Sequence, residues 1–191
     1  MDHSSGSASS SSTSSKQATA FTIRPLATSD AAAYQELRLR SLRDEPNAFE
    51  ASADEEAKLT LEQVPPHFGF GADDADSFVL GAFAGDGSLI GIVGCSRDGP
   101  PRRRHRALLW GMYVAPDARG RGIGRALVEE TVARVRAWEG IEMLRLGVIE
   151  SNGTARTLYE SCGFESVWRE PQAYKTPSGY LAVELMRLRI Q

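Results

Sequence analysis

Three observations predict an α/β domain with a mixed sheet. Stretches with strand-like apolar runs or alternation recur from residue 21 to residue 190, and stretches with helical spacing fall between them. One wholly apolar stretch, residues 108–114, leads through a Gly/Arg-rich turn into a long amphipathic helix. A Gly-Asp-Gly-Ser sequence at residues 85–88 separates two further apolar runs as a hairpin turn does.

Taken in order, residues 1–19 hold nine serines and few apolar side chains. Such a segment cannot bury enough surface to offset ordering, and it is expected to be a flexible tail of no assigned function. It lacks the apolar core of a secretory signal. Residues 20–191 are expected to form a single domain. Residues 21–26 read as a first strand. Thr28 or Ser29 caps a helix to about Arg43, with Tyr34, Leu37, Leu39 and Leu42 on its buried side. Residues 54–63 read as a second, more polar helix stopped by Pro65-Pro66, and residues 67–76 as loop. Residues 77–84 and 89–97 are strands. The apolar strand at 108–114 is expected to be covered on both faces. The following helix, 123–138, places Ile123, Leu127, Val135 and Trp138 on one side. Residues 142–149 form a strand, and Asn152 caps a helix that stops at Gly163. Residues 164–168 and 180–190 are the last two strands. The order is strand, two helices, three strands, helix, strand, helix, two strands.

The chemistry concentrates in Arg119-Gly120-Arg121-Gly122-Ile123-Gly124-Arg125. The first turn of a helix has amides without internal partners and carries the positive end of the dipole. Glycines keep side chains from holding an anion away, and the arginines add full charges, so the segment invites a phosphate or pyrophosphate. Arg125 and Leu127 occupy positions where a dinucleotide fingerprint needs glycine, and no Gly-Lys-Ser/Thr ending is present.

Here the chain resembles the GCN5-related N-acetyltransferases (GNAT). Arg119-x-x-Gly122-x-Gly124 matches that family's Gln/Arg-x-x-Gly-x-Gly/Ala signature. Downstream, Asn152, Ala155, Leu158, Tyr159, Gly163 and Phe164 match its Asn-x-x-Ala-x-x-Leu-Tyr-x-x-x-Gly-Phe pattern. The resemblance spans residues 21–190. It implies a twisted, mostly antiparallel sheet of about seven strands with about four helices, and acetyl-CoA as co-substrate. It also implies that two central strands splay, so that Met112, Tyr113 and Val114 on one and residues 146–150 on the other receive the pantetheine arm as an added strand. It makes Arg119 to Arg125 the pyrophosphate cradle, Asn152 a cofactor contact, and Tyr159 both a cofactor contact and the general acid toward the CoA thiolate. A phenol with a pKa of about 10 can share a proton with such a thiolate. A backbone amide near Met112 is placed to meet the oxyanion.

Many relatives carry a glutamate on the central strand as base. This strand has Trp110, Gly111, Met112 and Tyr113 instead. Glu150 is the first alternative, with Glu50 and Glu184 behind it. Residues 45–57, 67–76 and 170–179 match no motif and are expected to select the acceptor. Phe49, Phe68, Phe70 and Tyr174 are candidate walls for it. The acceptor is a small-molecule amine or a protein amine, and a non-catalytic acyl-CoA-binding module is the competing reading.

The remaining composition excludes more than it suggests. A net charge of −3 gives no global pull toward nucleic acid or anionic membrane. Arg102, Arg103, Arg104 and Arg106 form one short basic run, without the aromatic interleaving that nucleic-acid binding would add. No apolar run approaches the ~20 residues that span a bilayer. The histidines at 3, 67 and 105 show no metal-ligand spacing. Cys95 and Cys162 read as free thiols of a reducing, cytoplasmic compartment, one on a strand and one at a helix end. Dimers are common in the family resembled, so a homodimer is one possible assembly, and the sequence leaves the oligomeric state open.

Overall fold

The computed structural model describes residues 20–69 and 76–190. The Ser-rich segment 1–19 and Phe70 lie outside them. The strands are β1 (Phe21–Pro25), β2 (Ser77–Ala84), β3 (Leu89–Arg97), β4 (Arg106–Val114), β5 (Met143–Ile149), β6 (Glu165–Thr176) and β7 (Gly179–Arg189). The helices are α1 (Ala31–Asp44), α2 (Ala53–Glu56), α3 (Val64–Phe68), α4 (Ile123–Arg136) and α5 (Gly153–Ser161). One seven-stranded sheet has the order β1-β2-β3-β4-β5-β7-β6. Only the β4–β5 pair is parallel, joined by the crossover through α4.

Helical spacing carries α4 onto the sheet. Ile123, Leu127, Val128, Val132 and Val135 are buried, and the one polar residue among them, Thr131, donates to the Leu127 carbonyl at 2.8 Å. In the β2–β3 hairpin, Gly87 takes a φ of +85°, and the Asp86 carboxylate accepts from the Ser88 amide and hydroxyl.

Three local expectations are corrected. The helix expected over residues 54–63 is instead the single turn α2, with α3 starting only after it, at Val64. Val64, Pro65 and Pro66 begin a helix rather than stopping one, because amides in the first helical turn need no internal partner. Neither Thr28 nor Ser29 caps α1 with its side chain. The chain enters through a 3-10 turn at Thr28–Asp30, held by Asp30, which accepts from the Ala27 amide. Leu39 is only half-buried, and Arg38 and Ser41 take its place on the inner side.

Two irregularities position the site. The β4–β5 ladder lasts only from Arg106↔Met143 to Leu108↔Arg145, after which the strands part. On β3, Ile92 pairs with Tyr113 and Gly94 with Trp110, so Val93 alone opposes Gly111 and Met112. That is a β-bulge, and Gly111, at φ +64°, is the residue that permits it. The bulge breaks the side-chain alternation. Trp110 stacks on Phe68 toward α1, and Tyr113 donates to Asp44 of α1 at 2.6 Å, while Met112 lies beside α4. Leu108, at 37% exposure, is not covered on both faces.

At the paired end, Asp98 accepts from Arg106 of β4 (2.9 Å) and Arg145 of β5 (2.9 and 3.0 Å). This clasp closes one end of the β4–β5 pair while the other stays open. Asp98→Ala strands two half-buried guanidinium groups and is expected to lower unfolding free energy by about 1–3 kcal/mol, read as a drop in urea midpoint at unchanged slope.

Candidate active site

After β4 the chain makes a 3-10 turn at Pro116–Ala118. It then passes through Gly120 and Gly122, both left-handed at φ +76° and +80°. Gly122 is the N-cap of α4, and the first helical bond runs from the Ala126 amide to the Gly122 carbonyl at 3.0 Å. The amides of Ile123, Gly124 and Arg125 therefore have no helical acceptor. A side chain at Gly120 or Gly122 would meet no described atom within 4 Å, so this side of the turn is open. At Gly124 the opposite holds. A Cβ there would lie 3.2 Å from Leu158 of α5 and 3.4 Å from Met112.

The arginines of the turn are tethered. Arg119 donates to the Val114 carbonyl (3.0 Å) and to Glu45 (3.2 Å), Arg121 to the Asp117 carbonyl (2.9 Å), and Arg125 to the Ser161 hydroxyl (2.8 Å). Arg119 fastens the turn to the end of β4, and Arg125 fastens α4 to α5.

The glycine turn forms one end of a groove of about 750 Å³. It brings together Met112, Tyr113, Val114, Arg119, Gly120, Gly122, Ile123, Gly124, Arg125 and Asn152, and leaves out Arg121. A smaller cavity of about 80 Å³ occupies the gap where β4 and β5 part, with Gly111, Met112, Gly147, Asn152 and Tyr159 in its wall. A third, of about 670 Å³, opens between residues 42–54 and the β6–β7 hairpin. Phe49 lines all three.

Asn152 caps α5 by accepting from the Ala155 amide at 3.1 Å, and it reaches both the groove and the gap. Tyr159 is buried against Phe164, edge to face, and its hydroxyl makes no hydrogen bond among the described residues. Burial pushes its pKa well above the ordinary phenol value, with Cys162 adding a smaller push in the same direction. Tyr113, by contrast, is pushed up to about 12 by burial and by its bond to Asp44.

The carboxylates divide. Glu150 lines none of the three cavities. Arg169 donates two hydrogen bonds to it at 2.7 and 2.8 Å, and that guanidinium holds its carboxyl below the usual range. Glu184 is buried on β7 opposite Val148, 3.3 Å from Arg156. Glu50 lines the third cavity and accepts from Tyr174 at 3.0 Å. Of the expected acceptor walls, Phe49 and Tyr174 line that cavity. Phe68 packs between Tyr34 and Trp110 instead. β6 runs on to Thr176, so residues 170–176 form part of a long hairpin rather than a loop. In the basic run, Arg104 is bound to Asp76 and Arg106 to Asp98. Among the described residues no cluster of His, Cys, Asp or Glu has the arrangement of a metal site.

Residues 35–164 match the model of the acetyltransferase (GNAT) family. The chain belongs to the GNAT acetyltransferase family. Within it, the chain is 36% identical over 84 residues to a ribosomal protein bS18 alanine N-acetyltransferase of Salmonella typhimurium, covering 44% of this chain and 56% of that one. This GNAT chain thus spans little more than half the length of that curated relative. It is 30% identical over 165 residues to an aminoglycoside N(6')-acetyltransferase of Stenotrophomonas maltophilia, covering 80% and 91% of the two chains. The solved YncA acetyltransferase of Salmonella typhimurium, determined with acetyl-CoA, superposes with a TM-score of 0.71 at 21% identity, over 90% of this chain and 95% of that one. That likeness is one of fold.

The buried pair Arg38–Glu56 was not anticipated. Arg38 donates to Glu56 through Nε (2.9 Å) and one terminal nitrogen (2.8 Å). Its signal was in the sequence all the same: residue 38 falls on the same side of α1 as Tyr34, Leu37 and Leu42, at a position where an arginine must find a partner.

Proposed function

We propose that this GNAT chain transfers the acetyl group of acetyl-CoA to a primary amine by direct attack within a ternary complex. The observation that carries the reading is the adjacency of the groove and the gap. Phe49, Met112 and Asn152 stand in the walls of both, the glycine turn forms one end of the groove, and Tyr159 is in the wall of the gap where β4 and β5 part. The open side of Gly120 and Gly122 fits a diphosphate, whose oxygens would accept from the amides of Ile123, Gly124 and Arg125. The unpaired edges of β4 and β5 suit the amide-bearing pantetheine arm.

The thioester supplies an already activated acyl group. The amine nitrogen forms the new C–N bond as the C–S bond breaks. The bulge at Gly111–Met112 turns a backbone segment toward the reacting carbonyl, where an amide can meet developing negative charge. Tyr159 gives its proton to the departing sulfur, and the proton that the new amide nitrogen sheds returns through water to the phenolate. The acceptor enters through the third cavity, past Glu50 and Phe49, as an amine that has lost its proton to water in that open cleft. Glu150, engaged by Arg169, is a weak proton acceptor. Glu150→Gln is expected to hold turnover within about threefold, whereas loss of a true base costs at least about a hundredfold in steady-state kcat/KM.

The named relatives act on a protein alanine and on an aminoglycoside, so both protein and small-molecule amines stand as acceptors. The free Cys95 and Cys162 suit a reducing, cytoplasmic setting. Among the described residues no helix is long and apolar enough to cross a membrane. The deciding experiment follows free thiol released from acetyl-CoA across an amine panel, with mass detection of the acetylated product. Thiol release that rises with one amine supports the enzyme. Binding of CoA with no release from any amine leaves the non-catalytic acyl-CoA module.

A further inference from the structure

Glu45 is the C-cap of α1, its amide donating to the Ser41 carbonyl at 3.0 Å. A carboxylate is disfavoured there, because the C-terminal end of a helix carries the negative end of the dipole. Asp44, one residue earlier, accepts from Tyr113 and so has a structural partner in β4. The Glu45 side chain reaches instead to Arg119, which donates to it at 3.2 Å, with both side chains about half exposed. That bond is not what holds the arginine. Arg119 Nε donates to the Val114 carbonyl at 3.0 Å, and the guanidinium lies over the Tyr113 ring, 5.7 Å from its centre.

Both residues line the groove beside the glycine turn. Among the described residues of its wall, Glu45 is the one acid, and Arg119 and Arg125 are the two bases. Arg125 has Glu129 at 3.6 Å, a turn further along α4. Glu45 therefore cancels the charge of Arg119 at the place where the amides of α4 invite a diphosphate.

We propose that Glu45 limits coenzyme affinity: its carboxylate offsets the Arg119 charge and repels the CoA diphosphate, so that acetyl-CoA and the product CoA both bind more weakly than the glycine turn alone would hold them. This deepens the acetyltransferase reading above and rests on it. Donor and product carry the same diphosphate, so the residue acts on both alike. Weaker uniform binding raises KM for the donor without slowing the chemical step, and it keeps the product from lingering in the groove. The carboxylate is half exposed, so its effect is moderate and screened by salt.

The test is calorimetric titration with CoA at an ionic strength of about 0.05 M. Glu45→Gln is expected to lower the Kd about three- to tenfold relative to the wild type, and the gain is expected to shrink below about twofold at about 0.5 M salt. Dephospho-CoA keeps the diphosphate and lacks the 3'-phosphate, so the same gain is expected with it. Glu36→Gln makes the same change of charge at an exposed position of α1 outside the groove, and it is expected to leave the Kd within about 1.5-fold. The thermal midpoint of Glu45→Gln is expected to stay level or rise, since a charge leaves the wrong end of a helix. Unchanged or weaker CoA binding in Glu45→Gln, an equal gain in Glu36→Gln, or a gain that disappears with dephospho-CoA overturns the proposal. Absence of heat with CoA and acetyl-CoA from wild type and variant alike overturns the acetyltransferase reading instead.

Discussion

Tyr159→Phe is expected to lower turnover by about ten- to a thousandfold, with the dissociation constant of CoA changed by no more than about twofold. The substitution removes one oxygen. The ring remains, and with it the edge-to-face contact to Phe164 and the burial of this face of α5. The hydroxyl has no hydrogen bond among the described residues, so its loss leaves no stranded partner, and stability should change little. What is lost is a proton donor in the wall of the gap between β4 and β5. Pre-steady-state acetyl transfer, with calorimetry of CoA on the same variant, separates the two effects. A variant with undiminished transfer removes Tyr159 from the chemistry.

The pH dependence carries the same argument with a definite sign. An acid must be protonated to act, and burial raises the Tyr159 pKa above the ordinary phenol value. Deprotonation of this group therefore lies above about pH 10. Across the range below that, kcat/KM is expected to rise as the acceptor amine loses its proton, with no descending limb from the tyrosine. A descending limb near pH 8 that vanishes in Tyr159→Phe contradicts the environment found here.

Gly124→Val is expected to raise the dissociation constant of CoA at least thirtyfold, about 2 kcal/mol. Position 124 lies inside the first turn of α4, so valine needs no left-handed backbone and the helix can still form. The space is the difficulty. Its Cβ would press on Leu158 and Met112 at 3.2 and 3.4 Å, and its methyl groups would enter the groove beside the unpartnered amides. Overpacking of this size costs about 1–3 kcal/mol of stability, so thermal unfolding should be followed in parallel. Gly122→Ala is the informative comparison. Its Cβ meets no described atom, but its φ of +80° penalises any side chain by about 1–2 kcal/mol. Weakened CoA binding in Gly124→Val with a smaller loss in Gly122→Ala points to occlusion of the groove. Unchanged binding in both disconnects the turn from the coenzyme.

Much of the site is legible along the chain because its parts are contiguous. The open helix start needs only Gly120, Gly122 and Gly124 in the order they occur. Asn152 and Tyr159 share a side of α5 because seven residues are close to two helical turns. The features that escaped depend on partners far away in sequence. Pro65 and Pro66 read as a stop, and whether they end or begin a helix depends on where the chain arrives from. Glu150 reads as a free carboxylate at a strand end until the β6–β7 hairpin brings Arg169 to it. Phe68 reads as a loop residue until α1 and β4 close around it.

By itself, then, the sequence determined the order of the strands and of the three long helices, the glycine-rich start of α4 and the spacing that aligns Asn152 with Tyr159, since periodicity and local backbone freedom suffice for these. Tertiary structure alone decided three things: the early parting of β4 from β5, the bulge that opposes both Gly111 and Met112 to Val93, and the buried pairing of Arg38 with Glu56. Register and ion pairing are settled by contacts between distant segments, and each competes with alternatives that only the packed sheet removes.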